Sequence, residues 1–263
     1  MLLIEPTVET MQVPIAAVWP SEDEMERARK VQAQLLRRNA PSLETLEYGG
    51  CYLPARGIGG DYYDFIHLGL GRVGLAMGDI SGKGVAAALM MASLQAILRS
   101  HSATLANDLA RLLRSVNRLF CECTGESDYA SLFLGDYSDT TCRLRYANCG
   151  QTPPLVVHRD FSIDRLESTA TVLGMFTDWN CSVREVTLVP GDTLLLFTDG
   201  VTEAMNESGE EFGEDRLLGV LRESRQLALP ALVHSIAGAV REFSDYHLKD
   251  DVTLLIARPK ESR

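Results

Sequence analysis

No stretch of the 263-residue chain reaches the roughly 18 uninterrupted apolar residues that a membrane-crossing helix needs, so no membrane span is predicted. The first twenty residues hold Glu5 and Glu9 and no basic cluster ahead of an apolar run, so no leader peptide is expected. Basic residues are scarce, with 25 Lys and Arg against 36 Asp and Glu and a formal charge of −11. That deficit argues against nucleic acid or an anionic membrane as the main partner and is compatible with cation binding. The six cysteines (Cys51, Cys121, Cys123, Cys142, Cys149, Cys181) form no CxxC pair, and the five histidines are scattered. Neither a thiolate or imidazole metal centre nor a disulfide framework is therefore indicated. The thiols are expected to be mostly small core residues of a reduced, cytoplasmic protein. There is no internal repeat and no low-complexity segment.

What is present is ordinary globular composition, 46% apolar and 23% charged. Pro6, Pro14 and Pro20 mark residues 1–20 as an N-terminal arm. A helix is predicted over 21–40, with Ser21 at its N-cap, acids in its first turn, bases in its last and Pro41 beyond it. Met25, Ala28, Val31 and Leu35 form its narrow apolar stripe. The stripe suits a linker or regulatory helix that docks on its own core, on a second copy or on a regulator. The remaining domain, 41–260, opens with three strand-like runs, 46–55, 61–68 and 72–79, read as an antiparallel meander. Helices are predicted over 84–100, apolar almost all round and so flanked by a further layer, and over 105–121. Strands follow at 130–137, 142–148, 154–158, 183–189, 192–198 and 251–258, with helices at 214–223 and 229–243. Runs of strands separated by pairs of helices predict α+β layers rather than alternating βαβ units.

Acidic residues recur where strand patterns stop: Asp61 after Gly59–Gly60, Asp79 in MGDISGKG, Asp199 in LLLFTDG and Asp250–Asp251 ahead of VTLLIAR. A carboxylate there lies on a sheet rim, beside a glycine that admits close approach. Any one of them alone would read as a turn or cap residue. Oxygen ligands without His or Cys select hard cations such as Mg²⁺ or Mn²⁺, and a pair of such ions can clamp a phosphoryl group and activate water. GDISGKG could also cradle a nucleotide phosphate, but it does not match the Walker A pattern. On the plain alternative, Ser81 caps the next helix and Lys83 faces solvent.

PARGIGGDYYDF (54–65), GDISGKGVAAALMMA (78–92), YANCGQTPPLV (146–156), LLLFTDGVTEAMNESGEEFG (194–213) and DDVTLLIAR (250–258) together resemble the PPM-type metal-dependent Ser/Thr phosphatases. Their order and spacing are similar to the bacterial branch typified by SpoIIE and RsbU. The resemblance spans about 40–258. It implies a four-layer α-β-β-α sandwich of two antiparallel sheets flanked by helices, with a centre of two Mn²⁺ or Mg²⁺ ions at one edge. By resemblance, Asp79 bridges both ions, Ile80 offers its backbone carbonyl, Asp199 and Asp250 are further ligands, and Asp61 acts beside them. Asp251 stands where relatives often carry Asn and ranks behind Asp250.

The activity so implied is direct attack of metal-activated water on phosphoserine or phosphothreonine. Arg56 occupies a position similar to a phosphate-anchoring arginine, with an ordinary surface arginine as the alternative. Ser81 stands where other branches have His, so no histidine acid is implied there. Gln151 stands where close relatives usually have His, which leaves that side chain without an implied role. The branch implies a phosphorylated protein substrate, a STAS-domain anti-sigma factor antagonist in a partner-switching pathway. Two other readings remain open: a degenerate phosphatase serving as a binding scaffold, and a hydrolase of small phosphate esters.

Overall fold

The computed structural model describes residues 21–36, 41–125 and 127–261. The arm expected over 1–20 and the end of the first helix, 37–40, lie outside the described residues. Helix α1 (Glu22–Leu36) begins with a capping box. Glu24 N–H donates to Ser21 Oγ at 3.3 Å, while Ser21 N–H donates to the Glu24 carboxylate at 2.7 Å. Met25, Ala28 and Leu35 of the apolar stripe are half-buried, but Val31 is 57% exposed, and Gln32 and Leu36 are the buried residues of the seam. Apolar content alone misses Gln32, because that position on the seam is filled by a hydrogen-bonding glutamine.

One sheet contains β1 (Leu46–Leu53), β6 (Leu155–Val157), β7 (Ile163–Arg165), β9 (Thr193–Phe197) and β10 (Val252–Pro259), in the order β1-β10-β9-β6-β7. The other contains β2 (Tyr62–His67), β3 (Arg72–Ile80), β4 (Ala130–Ser138), β5 (Arg143–Cys149) and β8 (Arg184–Thr187), in the order β2-β3-β4-β5-β8. All pairings are antiparallel. The expected meander holds for β2 and β3 only. Strand β1 instead pairs along its length with β10, Leu46 opposite Pro259 and Leu53 opposite Val252.

Alternation along the strands builds the layers. Val73, Leu75 and Met77 of β3 meet Leu194, Leu196 and Leu255 of the other sheet in the central core. Leu195, Phe197, Leu254 and Ile256 face outward onto α5 (Gly213–Ser224) and α6 (Leu229–Phe243). Ala76, Ile80, Leu132 and Leu134 face α2 (Gly84–Leu105) and α3 (Leu109–Cys121). Strands buried on both faces explain the continuous apolar runs LLLF and TLLIA. The result is the predicted four-layer sandwich. Helix α2 is less enclosed than its composition suggests: Ala87, Met91, Leu94 and Leu98 are buried, but Val85 and Leu89 are exposed.

Candidate active site

The register places the sequence-predicted carboxylates at one end of the sandwich. Tyr62, which follows Asp61, lies opposite Gly78, which precedes Asp79. Phe197, two residues before Asp199, lies opposite Leu254, soon after Asp250 and Asp251. Asp199 opens the single-turn helix α4 (Asp199–Thr202) and is exposed.

Asp61 is only 2% exposed. Its Oδ2 accepts from Thr198 Oγ1 at 2.8 Å and from Thr253 Oγ1. These threonines also stitch their strands together, Thr253 N–H donating to Thr198 Oγ1 at 3.1 Å. Sequence reasoning missed both, although each stands within the TD and DDVT motifs. Burial, followed by the nearby Asp79, pushes the Asp61 carboxyl well above the usual carboxylate range. Asp79 is itself pushed up to about 7, first by burial and then by Asp199, Asp250 and Asp251. Mutual repulsion among these groups is what a bound cation would relieve.

Asp251 sets the shape of the loop above them. Its carboxylate accepts from Ala55 N–H at 2.8 Å and from Tyr52 OH at 3.3 Å. A Cβ on Gly59 would lie 1.5 Å from Asp251 Oδ2, so only glycine fits against it. Gln32 of α1 grips the same glycine, donating through Nε2 to Gly59 O at 2.7 Å and accepting from Gly59 N–H at 3.2 Å. The N-terminal helix thus packs on its own chain and holds the backbone of the loop beside Asp61.

Asp250 points elsewhere. Its Oδ2 pairs with Lys83 Nζ at 2.5 Å and its Oδ1 accepts from Asp251 N–H at 3.0 Å. Lys83 is exposed, as on the plain alternative, and has Asp250 as its charge partner there. Ser81 does not cap α2 either: it exchanges hydrogen bonds with Tyr129, N–H to O and Oγ from N–H, both at 2.9 Å. Arg56, Lys83 and Lys249 line one small cleft together with Asp79, Asp250 and Asp251. A second cleft, of about 310 Å³, contains Asp79, Ile80, Asp199 and Asp250 with Gln151 in its wall. A larger cleft, of about 940 Å³, lies at the other ends of β9 and β10 and contains none of these carboxylates.

Among the described residues, no three acidic, histidine or cysteine side chains close around one point as metal ligands. The donor set nonetheless fits hard divalent ions: it is all oxygen, it is rich in negative charge, and the Ile80 carbonyl stands beside it. Asp250 Oδ2 is the oxygen that Lys83 engages.

Two sheets packed face to face with this rim are the architecture of PP2C-type phosphatases. The SiaA-PP2C domain of Pseudomonas aeruginosa superposes with a TM-score of 0.75 at 22% identity, over 90% of this chain and 96% of that one. The RsbU and RsbW domains of Rv1364c from Mycobacterium tuberculosis give 0.69 at 28% identity, over 85% and 62%. The catalytic domain of the serine threonine protein phosphatase PstP in complex with two manganese ions gives 0.62 at 16% identity, over 82% and 99%. In sequence, the phosphoserine phosphatase RsbU of Bacillus subtilis is 30% identical over 240 residues, 91% of this chain and 71% of RsbU. The family model for stage II sporulation protein E matches residues 69–260. The chain belongs to this family, the SpoIIE branch of the PP2C-type serine/threonine phosphatases.

Proposed function

We infer that this chain hydrolyses phosphoserine or phosphothreonine on a protein, using two Mn²⁺ or Mg²⁺ ions held at the rim of the sandwich. The observation that carries the reading is the convergence of Asp61, Asp79, Asp199 and Asp250, from four separate strand ends, on one acidic rim. Asp79, the Ile80 carbonyl, Asp199 and Asp250 would hold the ions, with Asp61 beside them fixed by Thr198 and Thr253. When bound, such ions lower the pKa of water and offset charge on the phosphoryl oxygens. Arg56, on the cleft that contains Asp79 and Asp250, is suited to anchor the phosphate by a forked pair of hydrogen bonds. Lys83 shares that cleft and neutralises Asp250 before an ion does so.

The relatives support a substrate class. RsbU is a phosphoserine phosphatase, and the similar Mycobacterium tuberculosis structure carries an RsbW domain beside its RsbU domain. A phosphorylated STAS-domain antagonist of an anti-sigma factor is accordingly the substrate proposed, acting in the cytoplasm. No helix among the described residues is long and apolar enough to cross a membrane. Helix α1, through Gln32, is the route by which a second copy or a regulator would act on the loop at Gly59.

The test is phosphate release from a phosphoserine STAS protein and from p-nitrophenyl phosphate, with Mn²⁺, Mg²⁺ or EDTA, for wild type, Asp79→Asn and Asp199→Ala. Metal-dependent release is expected, lost with EDTA and lowered about 10²-fold or more by either substitution. Turnover that persists in EDTA would overturn the reading. Deletion of residues 1–38 tests the helix: unchanged mass in solution and unchanged activity would remove its regulatory role.

A further inference from the structure

Gln151 is the side chain for which the family resemblance offers no role, and its backbone N–H, backbone carbonyl and side-chain oxygen are all held by hydrogen bonds. Strand β5 ends at Cys149, and Gly150 turns the chain at φ +76, a conformation open to glycine. Asn148 then clamps the next residue from both sides, accepting from Gln151 N–H at 2.8 Å and donating Nδ2 to Gln151 O at 3.1 Å. The side chain is 3% exposed. Its Oε1 accepts from Ser131 Oγ, and Ser131 stands opposite Asp79 in the β3–β4 register. One end of the amide is thereby fixed beside the central carboxylate.

The other end has no partner in the protein. Gln151 Nε2 makes no hydrogen bond to a described residue, while no fully buried polar side-chain atom among those residues is left unsatisfied. Nε2 therefore opens onto accessible space, and the space that Gln151 lines is the cleft of Asp79, Ile80, Asp199 and Asp250. The carboxylates there favour the amide's donor end over its carbonyl end.

We propose that Gln151 is a substrate-contacting residue whose Nε2 donates a hydrogen bond to a phosphoryl oxygen of the bound phosphoester. The inference rests on the phosphatase reading and deepens it. A donor buried this far in the wall meets the part of the substrate that penetrates deepest, which is the phosphoryl group rather than the flanking peptide. A neutral donor also holds an anionic oxygen without adding a cation that would compete with metal ions for the carboxylates.

The deciding variants are Gln151→Glu, which keeps the acceptor for Ser131 but replaces the donor with an anion, and Gln151→Met, which removes the donor without adding charge. The readouts are the inhibition constant of inorganic phosphate, kcat and KM with p-nitrophenyl phosphate and with the phosphoprotein, and thermal unfolding. Loss of a hydrogen bond to a charged acceptor predicts inhibition weakened about tenfold or more in Gln151→Met, and further in Gln151→Glu. Losses in kcat/KM should be similar on the two substrates. Gln151→His, which retains an N–H donor, should restore much of the phosphate affinity. Wild-type phosphate affinity in Gln151→Met, or a loss confined to the phosphoprotein, would overturn the proposal. Absence of metal-dependent turnover in the wild type would instead overturn the phosphatase reading itself.

Discussion

Gly59→Ala tests the packing of the loop against Asp251. An added Cβ would lie 1.5 Å from Asp251 Oδ2, 2.4 Å from Cγ and 2.7 Å from Oδ1, so the carboxylate must leave its place. It is 8% exposed and held by Ala55 N–H at 2.8 Å and by Tyr52 OH at 3.3 Å. Losing one short hydrogen bond to a charged acceptor and one longer one costs about 3 kcal/mol. The same substitution in an Asp251→Ala background meets no carboxylate and should cost under about 1 kcal/mol, since Gly59 has no positive φ and only the clash forbids a side chain. The four proteins form a double-mutant cycle, read from urea midpoints at constant m-value. A coupling of about 2 kcal/mol or more is expected. Additivity within about 0.5 kcal/mol would refute the argument that Asp251 is what excludes a side chain at residue 59.

Other outcomes follow from the same geometry. Asp79 is pushed up to about 7 from 3.8, so the metal-free fold loses stability as pH rises through that interval, and Asp79→Asn should unfold at higher temperature than wild type in EDTA at pH 8. The same variant should lack the upward shift in Tm that Mn²⁺ gives the wild type, as read by a thermal scan. His158 is held on both ring nitrogens, by Asp192 at 3.0 Å and Asp164 at 3.1 Å, and these bonds raise its pKa. Its contribution is therefore present below the unfolded value and lost as pH rises through the folded one, so His158→Gln should destabilise more at pH 5.5 than at pH 9 in urea titrations. Gln32→Leu removes both bonds to Gly59 and should cost about 1–3 kcal/mol, measured by the shift in urea midpoint.

The sandwich was legible because its strands announce themselves: LLLF and TLLIA are buried on both faces and can be little else. The acidic rim was legible because a strand end, a glycine and an aspartate coincide three times over, and a fourth strand opens behind Asp250–Asp251. Three features were not, or not fully. Strand β1 was assigned to its sequence neighbours, but its partner lies some two hundred residues further on, and alternation carries no information about which strand is paired. The seam of α1 was legible only in part: Met25, Ala28 and Leu35 lie half-buried on it, but Gln32 is buried for its two hydrogen bonds rather than for apolarity. Ser81 was assigned by a local rule of capping, whereas Tyr129, distant in sequence, takes it up, and no local rule supplies Asp250 as the partner of the exposed Lys83.

The place of β10 has a consequence for how this protein comes into being. It is the second strand of its sheet in space, between β1 and β9, yet the last to be synthesised. Until residue 259 has cleared the ribosome, β1 has no partner and the rim lacks Asp250. A nascent chain with its first 240 residues emerged already carries Asp61 and Asp79 on the paired strands β2 and β3, and Asp199 after β9, but nothing yet joins β9 to β1. One strand, β10, thus completes both the sheet of β1 and β9 and the acidic rim.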